Sequence, residues 1–312
     1  MLLFTSSGTQ PTVVVKVPRL SDFNSHTERE QAVLAEVRSC LGESMRRTLP
    51  RPLGIVRCGD LAVGIESYAP GRSLSTSIGR WCAPMDQKIN DLRLVASWLG
   101  AFHRQAQIGR PRWGPSELSR WVERPLAAYR QVFGAAGNEE RLFAGARECA
   151  RALVGTPLPI VWQHHDFGEW NICCAGRELA VIDWERGRVG PALCDLIYFV
   201  THWSYTARNL RSDVAQLRGF RELFLERNCG GAGVAAARQA LTRYLAHLDI
   251  DRRFLPLLLV CTWVEHALDR FHRQRELGEG GANVRSGNRY VAYIAILAGH
   301  TEWLFGGVGM ES

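Results

Sequence analysis

The sequence predicts an α+β architecture, with a small β-rich lobe over residues 1–70 and a large, mainly helical lobe over 71–312. Three observations carry this. Short β-branched and apolar runs separated by turn residues fill the first lobe. From Asp86 onward, apolar residues recur at the spacing of one helix face. Between the helical stretches lies 161–195 (VWQHHDFGEWNICCAGRELAVIDWERGRVGPALCD), which reads as a loop and a hairpin.

In the small lobe, Leu2-Leu3-Phe4 is a strand fragment and 5–12 (TSSGTQPT) a turn rich in Ser, Gly and Pro. Residues 13–17 (VVVKV) form a β-branched strand containing Lys16, ended by Pro18. A helix follows, with Ser25 or Thr27 as N-cap, Glu28 and Glu30 in its first turn, and Val33 and Val37 on its apolar face. Strands at 53–57 and 61–67 meet at Cys58-Gly59-Asp60.

The large lobe opens with a helix from Asp86, whose apolar face carries Ile89, Leu92, Leu99, Phe102 and His103. His103 on that face reads as a core histidine. Ser119 is placed to cap a helix containing Pro125, which lies either inside it or at its true N-terminal turn, and 139–154 forms another helix. Pro191 is expected to begin a helix through Trp203. Further helices fit 213–228, 234–248, 254–276 and 286–305, the last two joined by the flexible 278–283 (GEGGAN).

Composition narrows the function classes. A chain of 312 residues forms one large or two modest domains, and 46% hydrophobic content supports a substantial core. The nine cysteines are an odd number without a C-x-x-C pair, which argues against a disulfide framework or a zinc site. A reducing cytoplasm fits. No signal peptide opens the sequence, and the apolar runs near 254–264 and 290–298 are too short for a bilayer, so no membrane partner is expected. Net charge is +7, which argues against a polycationic substrate, and the arginines are dispersed, which argues against nucleic acid. A basic surface instead attracts phosphates. Lys16 and Lys88 are the only lysines. No feature fixes the oligomeric state.

The chemistry concentrates in 161–195. The apolar run 157–163 enters as an extended segment, and His164 to Asn171 is a loop with a bend at Gly168. Residues 172–174 and 179–182 form a hairpin around Ala175-Gly176-Arg177-Glu178. A hairpin returns its second strand to the start of the first, which brings Asp183 beside Asn171. A carboxylate and an amide oxygen then offer a hard-cation site, with Asp166 across the same loop. Phosphoryl transfer needs such parts: a carboxylate for the acceptor hydroxyl, and oxygen ligands for Mg²⁺ against a triphosphate.

These residues resemble the aminoglycoside phosphotransferase and choline kinase superfamily, distant relatives of protein kinases. H-H-D-F-G-E-W-N-I is similar to that family's H-G-D-x-x-x-x-N-I loop, with His165 in place of glycine, and V-I-D-W-E resembles its metal-binding I-D segment. G-P-A-L-C-D-L resembles its later G-x-P-x-x-D-L. The resemblance implies a two-lobed protein-kinase-like fold using ATP and Mg²⁺ to phosphorylate a small-molecule hydroxyl. It implies Asp166 as catalytic base, Asn171 and Asp183 as Mg²⁺ ligands, and His164 and Asp195 as braces of the loop.

By the same resemblance Lys16 holds the nucleotide phosphates and Glu30 positions it, with Glu28 the competing glutamate. I-E-S-Y-A-P-G-R-S-L resembles the family hinge, which places backbone groups of Glu66, Ser67 and Tyr68 at the adenine edge. Glu185 reads either as a metal or substrate contact or as a partner of Arg186 or Arg188. One departure stands out. Only fifteen residues precede Lys16, so the family's first strand and glycine-rich loop have no counterpart, unless Ser6-Ser7-Gly8-Thr9 substitutes. Three readings stay open: a start further upstream, an open nucleotide lobe, or a catalytically weak binding relative. No D-F-G follows Asp183, which disfavours a protein kinase. The acceptor is not legible.

Overall fold

The computed structural model describes residues 2–4, 11–80, 83–176, 178–227, 229–278 and 284–306. Ser6-Ser7-Gly8-Thr9 and nearly all of the 278–283 linker lie outside them. The chain divides into two compact units, each assembled from two segments: Met1–Ile108 with Val161–Gly190, and Gly109–Ile160 with Pro191–Ser312.

The first unit carries β1 (Leu2–Phe4), β2 (Pro11–Lys16), α1 (Asn24–Ser39), α2 (Glu43–Arg46), β3 (Pro52–Cys58) and β4 (Leu61–Ser67). The four strands form an antiparallel sheet in the order β1-β2-β4-β3. Then follow β5 (Arg72–Ser73), α3 (Leu74–Ile78), α4 (Met85–Gln105) and β6 (Gln107–Gly109), and later β7 (Ile160–Gln163), β8 (Ile172–Ala175), β9 (Glu178–Val181) and β10 (Arg188–Pro191). β5, β8 and β9 make one small sheet, and β10, β7 and β6 another. Pro191 therefore ends a strand and does not begin a helix.

The expected caps of α1 are corrected. The helix starts at Asn24, fed by the 3-10 turn Ser21–Phe23, so Ser25 and Thr27 are already inside it. The Asn24 amide ties the helix to the sheet, donating to Asp60 O and accepting from Ala62 N, both at 2.7 Å. Along β4, Ala62, Gly64 and Glu66 alternate into the interior. Gly64 pairs with Lys16, and a Cβ there would stand 2.7 Å from Thr27 Cγ2. The glycine is what lets α1 lie against the sheet beneath Lys16.

Aromatic packing supports the loop after β7. Trp98 and Phe102 of α4 stack at 5.1 Å, Trp98 stacks on Phe167, and Phe102 meets Trp184 at 5.4 Å. The indole of Trp98 donates to Thr48 Oγ1 at 3.0 Å, which satisfies its one polar atom.

The second unit is helical: α5 (Pro115–Leu118), α6 (Arg124–Phe133), α7 (Asn138–Ala152), α8 (Cys194–Ala207), α9 (Asp213–Phe224), α10 (Gly231–His247), α11 (Phe254–Glu276), α12 (Arg289–Ala298) and α13 (Thr301–Phe305). Ser119 is not a cap. It opens a π turn, Ser119–Glu123, that joins α5 to α6 and accommodates the ring and missing N–H of Pro125. The helix expected over 286–305 breaks at Gly299-His300, so that Phe305 of α13 packs where Gly145 of α7 leaves room.

The core of this unit is aromatic. Phe220 and Tyr293 stack at 4.3 Å, Trp263 stacks on Tyr290 at 5.6 Å, and Tyr198 lies 4.4 Å from the buried His202 ring. Burial, aided by Arg289, lowers the His202 pKa from 6.5 to about 3.

Two outcomes are expected. Gly64→Val pushes α1 off β4 and lowers the stability read by denaturant unfolding by about 1–3 kcal/mol. His202 stays neutral in the folded chain while the unfolded chain takes up a proton below its ordinary pKa. Stability therefore falls with acidification, by ~2 kcal/mol between the ordinary histidine pKa and about pH 5. His202→Phe removes that part of the slope in unfolding curves measured across this pH range.

Candidate active site

Lys16, Glu30, Glu66, His164, Asp166, Asn171 and Asp183 all lie in the first unit. Lys16 ends β2, Glu30 sits mid-α1, Glu66 is near the end of β4, and Asp183 follows β9. The Lys16 ammonium donates to the Glu30 carboxylate and lies 3.3 Å from Glu66 Oε1 and 3.5 Å from Asp183 Oδ1. Glu30 Oε1 also accepts from Trp184 N at 3.1 Å. One cation thus faces three carboxylates. Burial works against the ammonium, yet the three negative neighbours outweigh it and hold the Lys16 pKa above the usual lysine range. Burial pushes Glu30 up to about 7 against the pull of Lys16, with Glu66 adding to the rise. Burial also raises Glu66, whose Oε2 has no hydrogen-bond partner among the described residues.

The loop forms the other half. His164 Nε2 lies 2.8 Å from Ile182 O, and His164 Nδ1 accepts from Asp166 N at 3.3 Å. This pattern places the ring proton on Nε2, with the imidazole bracing the loop against the hairpin. Asn171 Nδ2 donates to Asp166 O at 2.9 Å and to Asp166 Oδ2 at 3.2 Å, so the amide oxygen is the atom left for a cation. The hairpin pairs Ile172 with Val181, and Ile182 N donates to Asn171 O at 2.9 Å. That bond sets Asp183 immediately beyond Asn171. Asp183 and His165 both take left-handed backbone, φ 68° and 63°. His165 thus holds the conformation a glycine adopts most easily.

The structure brings Lys16, Glu30, Asp166, Asn171 and Asp183 into this one unit as two linked clusters. It separates the two candidate glutamates: Glu28 pairs with Arg57 at 2.6 Å on the surface, while Glu30 reaches Lys16. Glu66, whose backbone groups are expected at the adenine edge, turns its buried carboxylate to Lys16. Ser67 N donates to Arg51 O, Ser67 Oγ accepts from Arg51 N, and Tyr68 N donates to Thr12 O. Those two amide donors are therefore engaged within the chain. Glu185 lies 3.8 Å from His26 Nδ1, so its nearest ion partner is neither Arg186 nor Arg188. Asp195 is buried in the first turn of α8, in the other unit. The inward role of Glu66 was missed, although the alternation of β4 carried the signal, since Ala62, Gly64 and Glu66 share the face that meets α1.

The donor set suits a small hard cation. Asn171 and Asp183 supply oxygen only, and the Asp183 side chain is 43% exposed.

A model of the phosphotransferase enzyme family matches residues 3–244. A search of curated proteins returned no match. Among solved structures, the chain is similar to a glucosamine kinase (20% identity, 91% of this chain and 70% of that one, TM-score 0.51). It is also similar to an amicoumacin kinase in complex with AMP-PNP and Ca²⁺ (11% identity, 97% and 87%, TM-score 0.52). At these identities the shared property is the two-lobed kinase-like fold. No helix of the described residues is long and apolar enough to cross a membrane.

Removing a buried ion partner differs from removing an exposed one. Glu30→Ala removes the hydrogen-bond acceptor of Lys16 and leaves Trp184 N unpaired, and costs about 3 kcal/mol in denaturant unfolding, whereas Glu28→Ala costs under about 1 kcal/mol. Equal losses would mean that Glu30 does not anchor Lys16.

Proposed function

The chain belongs to the phosphotransferase enzyme family, and from that premise we propose that it moves the γ-phosphoryl of ATP to a hydroxyl of a small molecule. The observation that carries this reading is the bond of Asn171 to Asp166, on a hairpin that returns Asp183 to the same place and within reach of Lys16. In this reading Asp166 orients the acceptor hydroxyl and takes its proton as the new O–P bond forms. The bond from the γ-phosphorus to the bridging oxygen breaks, and ADP leaves. Lys16 binds phosphate oxygens, and Glu30 holds the Lys16 chain in position. Asn171 and Asp183 would hold Mg²⁺, which when bound neutralises charge on the phosphate oxygens. His164 keeps the loop closed on the hairpin. Residues 1–70 serve the nucleotide, with Glu66, Ser67 and Tyr68 beside it, and 71–312 serve catalysis and the acceptor.

One observation favours a second reading, a nucleotide- or small-molecule-binding protein with weak or no turnover. Glu66 is an additional carboxylate on Lys16 and competes with phosphate for its ammonium.

A single experiment separates the two. The protein is incubated with γ-labelled ATP, Mg²⁺ and a metabolite extract, and labelled products are identified by mass spectrometry. Calorimetry measures Mg-ATP binding in parallel. Asp166→Asn is expected to retain nucleotide binding and lose turnover by a factor on the order of 10²–10⁴. Binding without turnover in the unmodified chain favours the second reading. Undiminished turnover in the variant removes Asp166 as the base.

A further inference from the structure

The helical unit contains a cavity of about 330 Å³, lined by none of the residues assigned above to phosphoryl transfer. It is bounded by α9, α11, α12 and the residues just before α12. Arg270, Arg285 and Arg289 line it together with Asp213, Asn288 and Tyr293. Three arginines and one aspartate therefore share its lining.

The three arginines are held to different degrees. Arg285 is fixed from behind, donating to the Glu139 carboxylate and to Phe133 O at 3.0 Å. Arg289 lies 3.9 Å from Asp213 Oδ1, but that carboxylate is 87% exposed, and such a pair contributes little. Arg270 Nε is buried and has no hydrogen-bond partner among the described residues. A buried N–H without an acceptor is unfavourable, and an oxygen-bearing ligand in the cavity would supply one. The volume falls within the range of small-molecule sites.

We propose that this cavity is an oxyanion site that takes the phosphate group of a small phosphorylated molecule. Guanidinium forks match phosphate oxygens in pairs. With Arg285 engaged by Glu139 and Phe133 O, Arg270 on α11 and Arg289 on α12 are the forks left for the ligand, and two forks on different elements suit a tetrahedral dianion better than a planar carboxylate, which one fork already satisfies. Arg270, Arg285 and Arg289 lie outside the matched residues 3–244, whereas Asp213, Gln216 and Leu217 of the same lining lie inside them. The proposal does not depend on the phosphotransferase reading.

The test is calorimetric titration of the full chain with inorganic phosphate at fixed ionic strength. One site is expected. Arg270→Gln and Arg289→Gln should each weaken it about tenfold or more, the scale of a charge-assisted hydrogen bond. Lys16→Ala should leave it unchanged, because that lysine belongs to the other unit's cluster. Acetate should bind at least about tenfold more weakly than phosphate, since it lacks the third oxygen and second charge. Circular dichroism checks each variant's fold, and if Arg270→Gln does not fold, Arg289→Gln decides alone. Phosphate binding that survives both arginine substitutions, that disappears with Lys16→Ala, or that is absent from the unmodified chain overturns the proposal. Acetate binding equal to phosphate overturns the choice of phosphate.

Discussion

A single half-buried ammonium among three carboxylates, two of them buried, organises the first unit. Each of these charges would be costly if buried alone, and the cost is offset only because they lie together. Lys16 therefore ties together a strand, a helix, a second strand and the turn after the hairpin, through Glu30, Glu66 and Asp183. The geometry demands close approach of α1 to the sheet. Gly64 permits it, and the Asn24 amide fixes its depth by binding both sides of the β3–β4 turn.

The loop is governed by a similar economy of polar groups. His164 satisfies one backbone carbonyl and one backbone N–H, and Asn171 restrains Asp166 at both its carbonyl and its carboxylate. The ring of His164 is itself held at 4.7 Å by Trp184, whose backbone N–H binds Glu30. The lysine cluster and the loop are thereby coupled through one tryptophan. A phosphotransferase has use for such coupling, because its chemistry consists mainly of holding charges in place.

Much of this was legible. The hairpin was readable because period-two runs around a turn allow one pairing, and that pairing forces Asn171 and Asp183 together. The strands and α1 were readable from β-branched runs and helical spacing. The caps were not, because the interaction that fixes the start of α1 comes from the distant Asp60 and Ala62. The break before α13 was equally invisible, since it depends on the room that Gly145 leaves on α7. The choice between Glu28 and Glu30 was open in the sequence because both occupy the first turns of α1. It is decided by which face meets Lys16 and which meets Arg57.

The sequence by itself carried the motifs that resemble the family, and it determined the two-part composition of strands then helices and the hairpin, because these last follow from local periodicity and short spacings. Only the tertiary structure decided that Glu66 turns inward to Lys16 and that Ser67 and Tyr68 use their N–H groups within the chain. It alone gathered Arg270, Arg285 and Arg289 around one cavity. Those outcomes depend on which distant groups meet across the packed interior, and burial makes an unmatched charge or donor costly enough to fix the arrangement.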